Sequence, residues 1–109
     1  MSKSIPLESS ITRAIITWLN KQPGTFAIKI HGGRWTSGQP DIIACVEGRT
    51  YALEVKRPGN KATKLQEATL KKWEEAGAVA RVVQSLEDVK RIVKAPRFQK
   101  GGKPLSSPE

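Results

Sequence analysis

The chain has 109 residues, one cysteine, one histidine and a formal net charge of +9. This length allows one domain with a modest core, and the excess of positive charge points to a polyanion as the partner. One cysteine and one histidine exclude a disulfide scaffold within the monomer and zinc sites built on several such ligands. With no apolar stretch near the ~20 residues of a membrane span and no signal-peptide pattern at the N-terminus, we expect a cytoplasmic protein without a membrane partner.

The first predicted element is a helix that opens at Pro6. Its apolar stripe recurs at i, i+3, i+4, i+7 and i+8, namely at Ile11, Ala14, Ile15, Trp18 and Leu19. Glu8 falls on the same stripe, so it points along the face that packs on a sheet. Two interpretations of Glu8 stay open: a third acidic group near a metal site, or a first-turn glutamate that the helix dipole favours.

A strand is predicted over residues 25–30, followed by the glycine-rich segment 31–38. Three glycines let the backbone approach a partner closely, while Arg34 offers a phosphate contact and Trp35 a stacking plane. We therefore expect Arg34 and Trp35 to contact DNA. The alternative is a long hairpin connection with Trp35 folded back on the core.

Two further strands, Asp41–Val46 and Thr50–Lys56, form a predicted hairpin. Alternate side chains of a strand face the same side, so Glu54 and Lys56 point together. Cys45 lies in the apolar first strand of this hairpin and is expected to be a small core residue.

The turn of the hairpin decides how the charged side chains meet. A two-residue turn at Glu47-Gly48 sets Asp41 opposite Glu54, whereas a turn at Gly48-Arg49 sets Asp41 opposite Lys56 with Glu54 on the diagonal. Either register puts the three charges on one face, and a three-residue loop would not.

Opposed carboxylates repel, and a divalent cation removes the repulsion. Mg²⁺ and Mn²⁺ take carboxylate and carbonyl oxygens plus waters, which leaves positions for a phosphate oxygen and an attacking water. Lys56 could then hold or help to deprotonate that water, or offset charge in the transition state. An isolated Glu-x-Lys on a strand is more often an exposed salt bridge; Pro40-Asp41 ahead of a hairpin of this length favours a site.

The segment after the hairpin is a basic turn, in which Arg57 and Lys61 are predicted DNA contacts. Thr63 begins the next helix, and Gln66 fits a capping box with it. Gln66 also shares a helical face with Leu70 and Trp73, which aims it at the site end of the sheet. Both interpretations of Gln66 are compatible.

The rest of the chain completes an αβββαβα order. Gly77 ends the helix, residues 78–83 form a strand parallel to the third, and a last helix begins at Ser85 with Val89, Ile92 and Val93 buried. Residues 1–93 are thus the predicted domain. Residues 94–109 hold four Lys/Arg and one Asp/Glu, and we expect a flexible basic tail that either attracts DNA or only improves solubility.

These motifs resemble the PD-(D/E)xK nucleases, whose name describes Pro40-Asp41 and Glu54-Val55-Lys56, and more narrowly a stand-alone VRR-NUC domain. The resemblance runs from about Glu8 to Val93 and includes Gly38-x-Pro40-Asp41 and the helical Gln66. It implies a restriction-endonuclease-like αβββαβ core, an α/β fold with a mixed sheet flanked by helices. It also implies Mg²⁺- or Mn²⁺-dependent hydrolysis of DNA. Small members of this branch are associated with homodimers that act on branched DNA such as Holliday junctions.

The sequence therefore predicts a metal-dependent DNA endonuclease without a small-molecule cofactor. Asp41 and Glu54 bind the metal, joined by the carbonyl of Val55 and by Glu8 if it is a ligand; Lys56 assists the nucleophile. The resemblance implies that Gln66 orients Lys56 or the water. The alternatives are a DNA-binding module that does not cut, and an accessory subunit of a larger DNA-processing complex.

Overall fold

Three helices and four strands form in the order that the apolar patterns predict. The computed structural model describes residues 5–31 and 38–95. Its elements are α1 (Glu8–Asn20), β1 (Thr25–Lys29), β2 (Ile42–Val46), β3 (Arg49–Val55), α2 (Lys64–Glu75), β4 (Val79–Val83) and α3 (Leu86–Lys94). The loop contacts predicted for Arg34 and Trp35 lie outside the described residues. The tail predicted over residues 94–109 starts too early, because Lys94 is the last residue of α3, and residues 96–109 lie outside the described part of the chain.

Helix α1 begins two residues later than the sequence predicts. The carbonyl of Leu7 accepts hydrogen bonds from the N–H groups of Ser10 and Ile11 at 3.0 and 3.1 Å, so the first turn closes on Leu7 and not on Pro6. Within the described part of the chain, no helix is long and apolar enough to cross a bilayer.

The four strands form one mixed sheet in the order β1-β2-β3-β4. β1, β2 and β3 pair antiparallel, and β4 lies parallel to β3. In the β2–β3 hairpin, Val46 pairs with Arg49, so the turn is Glu47-Gly48. Both turn residues have positive φ, 49° and 83°, as the two-residue turns that match strand twist require. The first of the two predicted registers is therefore confirmed.

The two faces of the sheet are covered by different helices. α1 and α3 pack on one face and build the main core, whose largest fully buried members include Ile15, Leu19, Tyr51, Leu53, Val55, Val83 and Val89. α2 packs over β3 and β4 on the other face, where Leu70 and the half-buried Trp73 meet Ala52 and Ala80. Because Glu54 follows Ala52 by two positions, its side chain lies on the α2 face.

Among the described residues, no helix packs over β1 and β2 on the α2 face. Phe26 is 69% exposed and Ile28 43% exposed, and they pair directly with Cys45 and Ile43 of β2. Cys45 is exposed, so the expectation of a core cysteine is wrong. The reason is that α2 reaches only β3 and β4. We call Phe26, Ile28, Ile43 and Cys45 the apolar sheet patch.

On both outer edges of the sheet, side chains form hydrogen bonds with backbone groups of the edge strands. On β1, the Asn20 amide accepts from the Ala27 N–H at 2.8 Å and donates to the Ala27 carbonyl at 3.1 Å. On β4, the Arg81 guanidinium donates to the Ala80 carbonyl at 2.8 Å. Strand edges invite pairing with another chain, and these bonds oppose it.

Candidate metal centre

Asp41 and Glu54 meet where β2 begins and β3 ends. Ile42 pairs with Leu53, so the next pair outward is Asp41 opposite Glu54. The Asp41 Oδ2 accepts a hydrogen bond from the Val55 N–H at 2.7 Å, which fixes this carboxylate against β3. Glu54 is only 2% exposed.

The two oxygens of Glu54 have different surroundings. Oε2 accepts a hydrogen bond from Gln66 Nε2 at 3.0 Å and lies 3.6 Å from Lys56 Nζ. Oε1 is buried and has no hydrogen-bond donor within the described part of the chain. A buried oxygen without a donor is unfavourable, so the Glu54 carboxylate has one unsatisfied hydrogen-bond acceptor.

Burial and the neighbouring charge change the protonation of the pair. Burial first, and then the charge of Asp41 and a hydrogen bond shared with it, raise the pKa of Glu54 from 4.5 to about 8, against the opposing effect of Lys56. With both carboxylates ionised, no described group donates to Oε1; at neutral pH this pKa means that the metal-free pair takes up a proton. Either a proton or a cation between Asp41 and Glu54 relieves both the repulsion and the unmet oxygen.

These groups fit a hard divalent cation. The pair offers carboxylate oxygens, and the Val55 carbonyl lies on the same side of β3 as the Val55 N–H that binds Asp41. In residues 5–31 and 38–95, no three His, Cys, Asp or Glu side chains lie close enough together to hold a metal. The protein thus supplies two carboxylates and one carbonyl, and waters or substrate oxygens would complete the coordination, as Mg²⁺ prefers.

Gln66 both caps α2 and reaches the acidic pair, while its role in orienting Lys56 or the water stays a prediction. Its Oε1 accepts from the Thr63 N–H at 2.8 Å, and the Thr63 hydroxyl accepts from the Gln66 N–H at 3.1 Å, which completes the capping box of α2. The cap uses the oxygen of the amide, so the nitrogen is left to donate to Glu54. Helix capping therefore orients the amide that binds the acidic pair.

Glu8 is not brought into this cluster. It is the first residue of α1, is half-buried, and lies on a helix that packs on the sheet face opposite to α2. The helical stripe predicts that Glu8 faces the sheet, but Glu54 points to the other side. Its role as a metal ligand stays a prediction.

The two predicted DNA contacts after β3 differ in their surroundings. The guanidinium of Arg57 donates to the Pro6 carbonyl at 3.1 Å and to the Ile5 carbonyl at 3.2 Å, so it fastens the segment before α1. Lys61 is exposed. Both remain predicted contacts, and Arg57 has in addition a structural function that its charge did not indicate.

The sequence did not predict that Gly38 and Gln39, just before Asp41, pack against α2. Gly38 has φ +81°, and a Cβ placed there would lie 2.6 Å from Leu65 Cγ. Gln39 accepts a hydrogen bond from the Trp73 indole at 3.3 Å. The shared helical face of Gln66 and Trp73 was the available signal, because it places both side chains toward the sheet.

Solved structures show which fold this is. No family model and no curated protein matches the chain. A solved "VRR_NUC domain protein" is 16% identical, with a TM-score of 0.69 over 84% of this chain and 88% of its own. A second, described as "VRR_NUC domain", is 23% identical, with a TM-score of 0.67 over 80% and 94%. The chain thus has the VRR-NUC fold, which confirms the predicted α/β class with a mixed sheet flanked by helices.

The packing of Gly38 on Leu65 can be tested with a matched pair of glycines. Gly38 and Gly48 have φ of +81° and +83°, but a Cβ on Gly48 would meet nothing within 4 Å. Both Gly→Ala changes carry the same backbone cost, of about 1 kcal/mol, and only Gly38→Ala adds a clash. We expect Gly38→Ala to lower the free energy of unfolding by at least ~1 kcal/mol more than Gly48→Ala in urea titrations. Equal losses would contradict the close packing.

The raised pKa of Glu54 predicts how stability depends on pH without metal. Between about pH 4.5 and 8 the unfolded chain ionises Glu54 while the folded protein keeps it neutral, so the free energy of unfolding falls as pH rises through this window. The Glu54→Gln protein has no carboxyl group to ionise at this position, so its free energy of unfolding does not fall for this reason. In EDTA, its stability relative to wild type should rise by more than ~1 kcal/mol from pH 5 to 8, with Glu75→Gln as the control for removing one carboxylate. Parallel urea-denaturation profiles for Glu54→Gln and wild type would rule this out.

Proposed function

We propose that this protein is a Mg²⁺- or Mn²⁺-dependent DNA endonuclease. The observation that carries the proposal is the pair of the half-buried Asp41 and the buried Glu54, with one oxygen of Glu54 unmet among the described residues and Lys56 beside it. The VRR-NUC fold and the net charge of +9 support a nuclease-type domain with a nucleic-acid substrate. The proposed site of action is the cytoplasm of a bacterial or phage-infected cell.

Each residue of the site has a separate role in the proposed hydrolysis. A bound divalent cation supplies charge stabilisation and a more acidic water. Asp41 and Glu54 hold the cation, and Gln66 keeps the Glu54 carboxylate in place. Lys56 lies at the edge of the pair, where its ammonium can hold the attacking water or offset charge on the phosphate. The water oxygen bonds to phosphorus in line, the bond to the leaving oxygen breaks, and that oxygen takes up a proton.

A DNA-binding module without activity accounts less well for this site. A protein that only binds DNA gains nothing from two buried carboxylates near phosphates, since they cost stability and repel the ligand. An accessory subunit would retain the pair but cut only within its complex. Cleavage by the isolated protein separates these cases.

The nuclease proposal predicts that chemistry and affinity respond to different residues. Asp41→Asn, Glu54→Gln and Lys56→Ala should each lower Mn²⁺-dependent cleavage by more than ~100-fold. The two carboxylate changes should leave DNA binding equal or stronger, because each removes negative charge near the phosphates. Gel assays of cleavage and filter binding on the same proteins, with and without Mn²⁺, measure both.

Glu75→Gln is the control, since it removes an exposed carboxylate at the end of α2. It should cut at the wild-type rate. Wild-type cleavage by Asp41→Asn would overturn the nuclease proposal and leave the binding module as the better explanation.

We further propose that the enzyme works as a homodimer on branched DNA such as four-way junctions. One active site cuts one strand, whereas resolving a junction takes two symmetric cuts, which a two-fold dimer supplies. The apolar sheet patch supports a second copy as its occupant. All four of its residues are uncharged, so two strongly basic chains can approach there, and the side-chain bonds at Ala27 and Ala80 oppose association through the sheet edges.

The dimer proposal can be tested at Phe26. Phe26→Glu should convert a micromolar dimer into a monomer in light scattering, because it places a charge in each copy of the contact. Ile5→Glu is the matched control: Ile5 is also exposed, at 49%, but lies outside the patch. A wild-type monomer that cuts linear and four-way DNA equally would contradict the proposal, as would a Phe26→Glu protein that stays dimeric.

A further inference from the structure

Helix α2 binds Glu54 directly, and it reaches the segment before Asp41 through Gln39. Gln66 reaches Glu54 with its amide nitrogen at 3.0 Å. Two turns further along α2, Trp73 Nε1 donates to Gln39 Oε1 at 3.3 Å. Gln39 is separated from Asp41 by one residue.

Pro40, which lies between Gln39 and Asp41, limits how these two residues can move relative to each other. Pro40 is fully buried, and its ring fixes φ, so the short path from Gln39 to Asp41 has little freedom. Asp41 in turn accepts a hydrogen bond from the Val55 N–H at 2.7 Å. A shift of Gln39 therefore moves the carboxylate that this bond holds.

Trp73 has a second function that must be kept apart from this one. Its ring packs with the cluster formed by Ala52, Leu70 and Ala80 under α2, where an aromatic side chain contributes through buried area alone. Packing requires the ring, but does not require the indole N–H. The N–H, and not the ring, is the group that reaches Gln39.

We propose that Trp73 is a positioning residue for Asp41, acting through its indole N–H on Gln39. α2 then aligns both carboxylates: Gln66 aligns Glu54 directly, and Trp73 aligns Asp41 through the segment that precedes it. The catalytic meaning of this alignment rests on the proposed nuclease function. The alignment itself is a property of the metal-free protein and can be measured there.

The test removes the hydrogen bond from either side while it keeps the packing. Trp73→Phe retains an aromatic ring without the N–H, and Gln39→Met retains the length of the side chain without the acceptor. Hydrogen exchange of the Val55 amide in EDTA reports the bond to Asp41, and Mn²⁺ titration by calorimetry reports the completed site. The double variant closes a mutant cycle, in which two changes to one bond do not add.

A matched control comes from α1. Trp18 is also half-buried, and its indole N–H has no hydrogen-bond partner within the described residues. Trp18→Phe changes the same atoms on the opposite face of the sheet. It should leave Val55 exchange and Mn²⁺ affinity at their wild-type values.

Each single variant at Trp73 or Gln39 should speed Val55 exchange by about two- to tenfold, the range expected for one modest hydrogen bond, and the double variant should do no more. Mn²⁺ affinity should fall by a similar factor. Unchanged Val55 exchange in Trp73→Phe overturns the proposal, whether or not Mn²⁺ binds. Additive effects in the double variant overturn it as well. Faster exchange in proteins that do not bind Mn²⁺ at all supports the positioning and contradicts the nuclease function.

Discussion

The arrangement of the site depends on two facing carboxylates, one of them fully buried. Asp41 and Glu54 lie opposite each other at the end of a hairpin, and Glu54 is nearly inaccessible to solvent. Placing like charges together in such a site is unfavourable, and the raised pKa of Glu54 expresses this cost. The Val55 N–H, the Gln66 amide and Lys56 offset it in part, through contacts of 2.7, 3.0 and 3.6 Å. One oxygen, Glu54 Oε1, stays without a donor among the described residues, and this distinguishes the pair from an ordinary salt bridge and supports the proposed cation site.

Helix α2 connects the stability of the protein to the geometry of this site. The amide of Gln66 has one accepting end and one donating end, and the capping box takes the accepting end. The competing interpretations of Gln66 as a cap and as a site residue were therefore never exclusive. A helix that frays at Thr63 would release the amide that binds Glu54, so local unfolding of α2 and loss of the site are one event.

Strand alternation predicted the common face of Asp41, Glu54 and Lys56, because it follows from backbone geometry alone. It could not choose the register. Glu47 adopts φ 49°, which a glutamate seldom does, and its N–H bonds to the Gly24 carbonyl at 2.8 Å. Gly24 immediately precedes β1, the strand that pairs with β2, so this bond lies outside the hairpin. The hairpin sequence alone allowed a turn at Glu47-Gly48 or at Gly48-Arg49.

Other differences have the same origin in packing across elements. Periodicity shows which residues share a face, but not which face a helix covers or how far it extends. Cys45 lies on the side that α2 leaves open, and Glu8 lies on the helix that packs on the other side. Charge likewise indicated Arg57 as a phosphate contact, whereas its fork also binds two backbone carbonyls. The position of each of these residues is set by contacts between elements that are distant in the sequence, which the local pattern does not contain.

The proposed cation would compete with a proton for the same space between the carboxylates. With the pKa of Glu54 at about 8, the metal-free pair holds a proton at neutral pH, so binding a cation must release it. The apparent affinity for the ion should then rise with pH until Glu54 is ionised without help. A more exposed pair would bind the ion with less dependence on pH, but would also leave Glu54 hydrated and less firmly oriented. The burial that makes the empty site costly is thus what orders the ligands before the ion arrives.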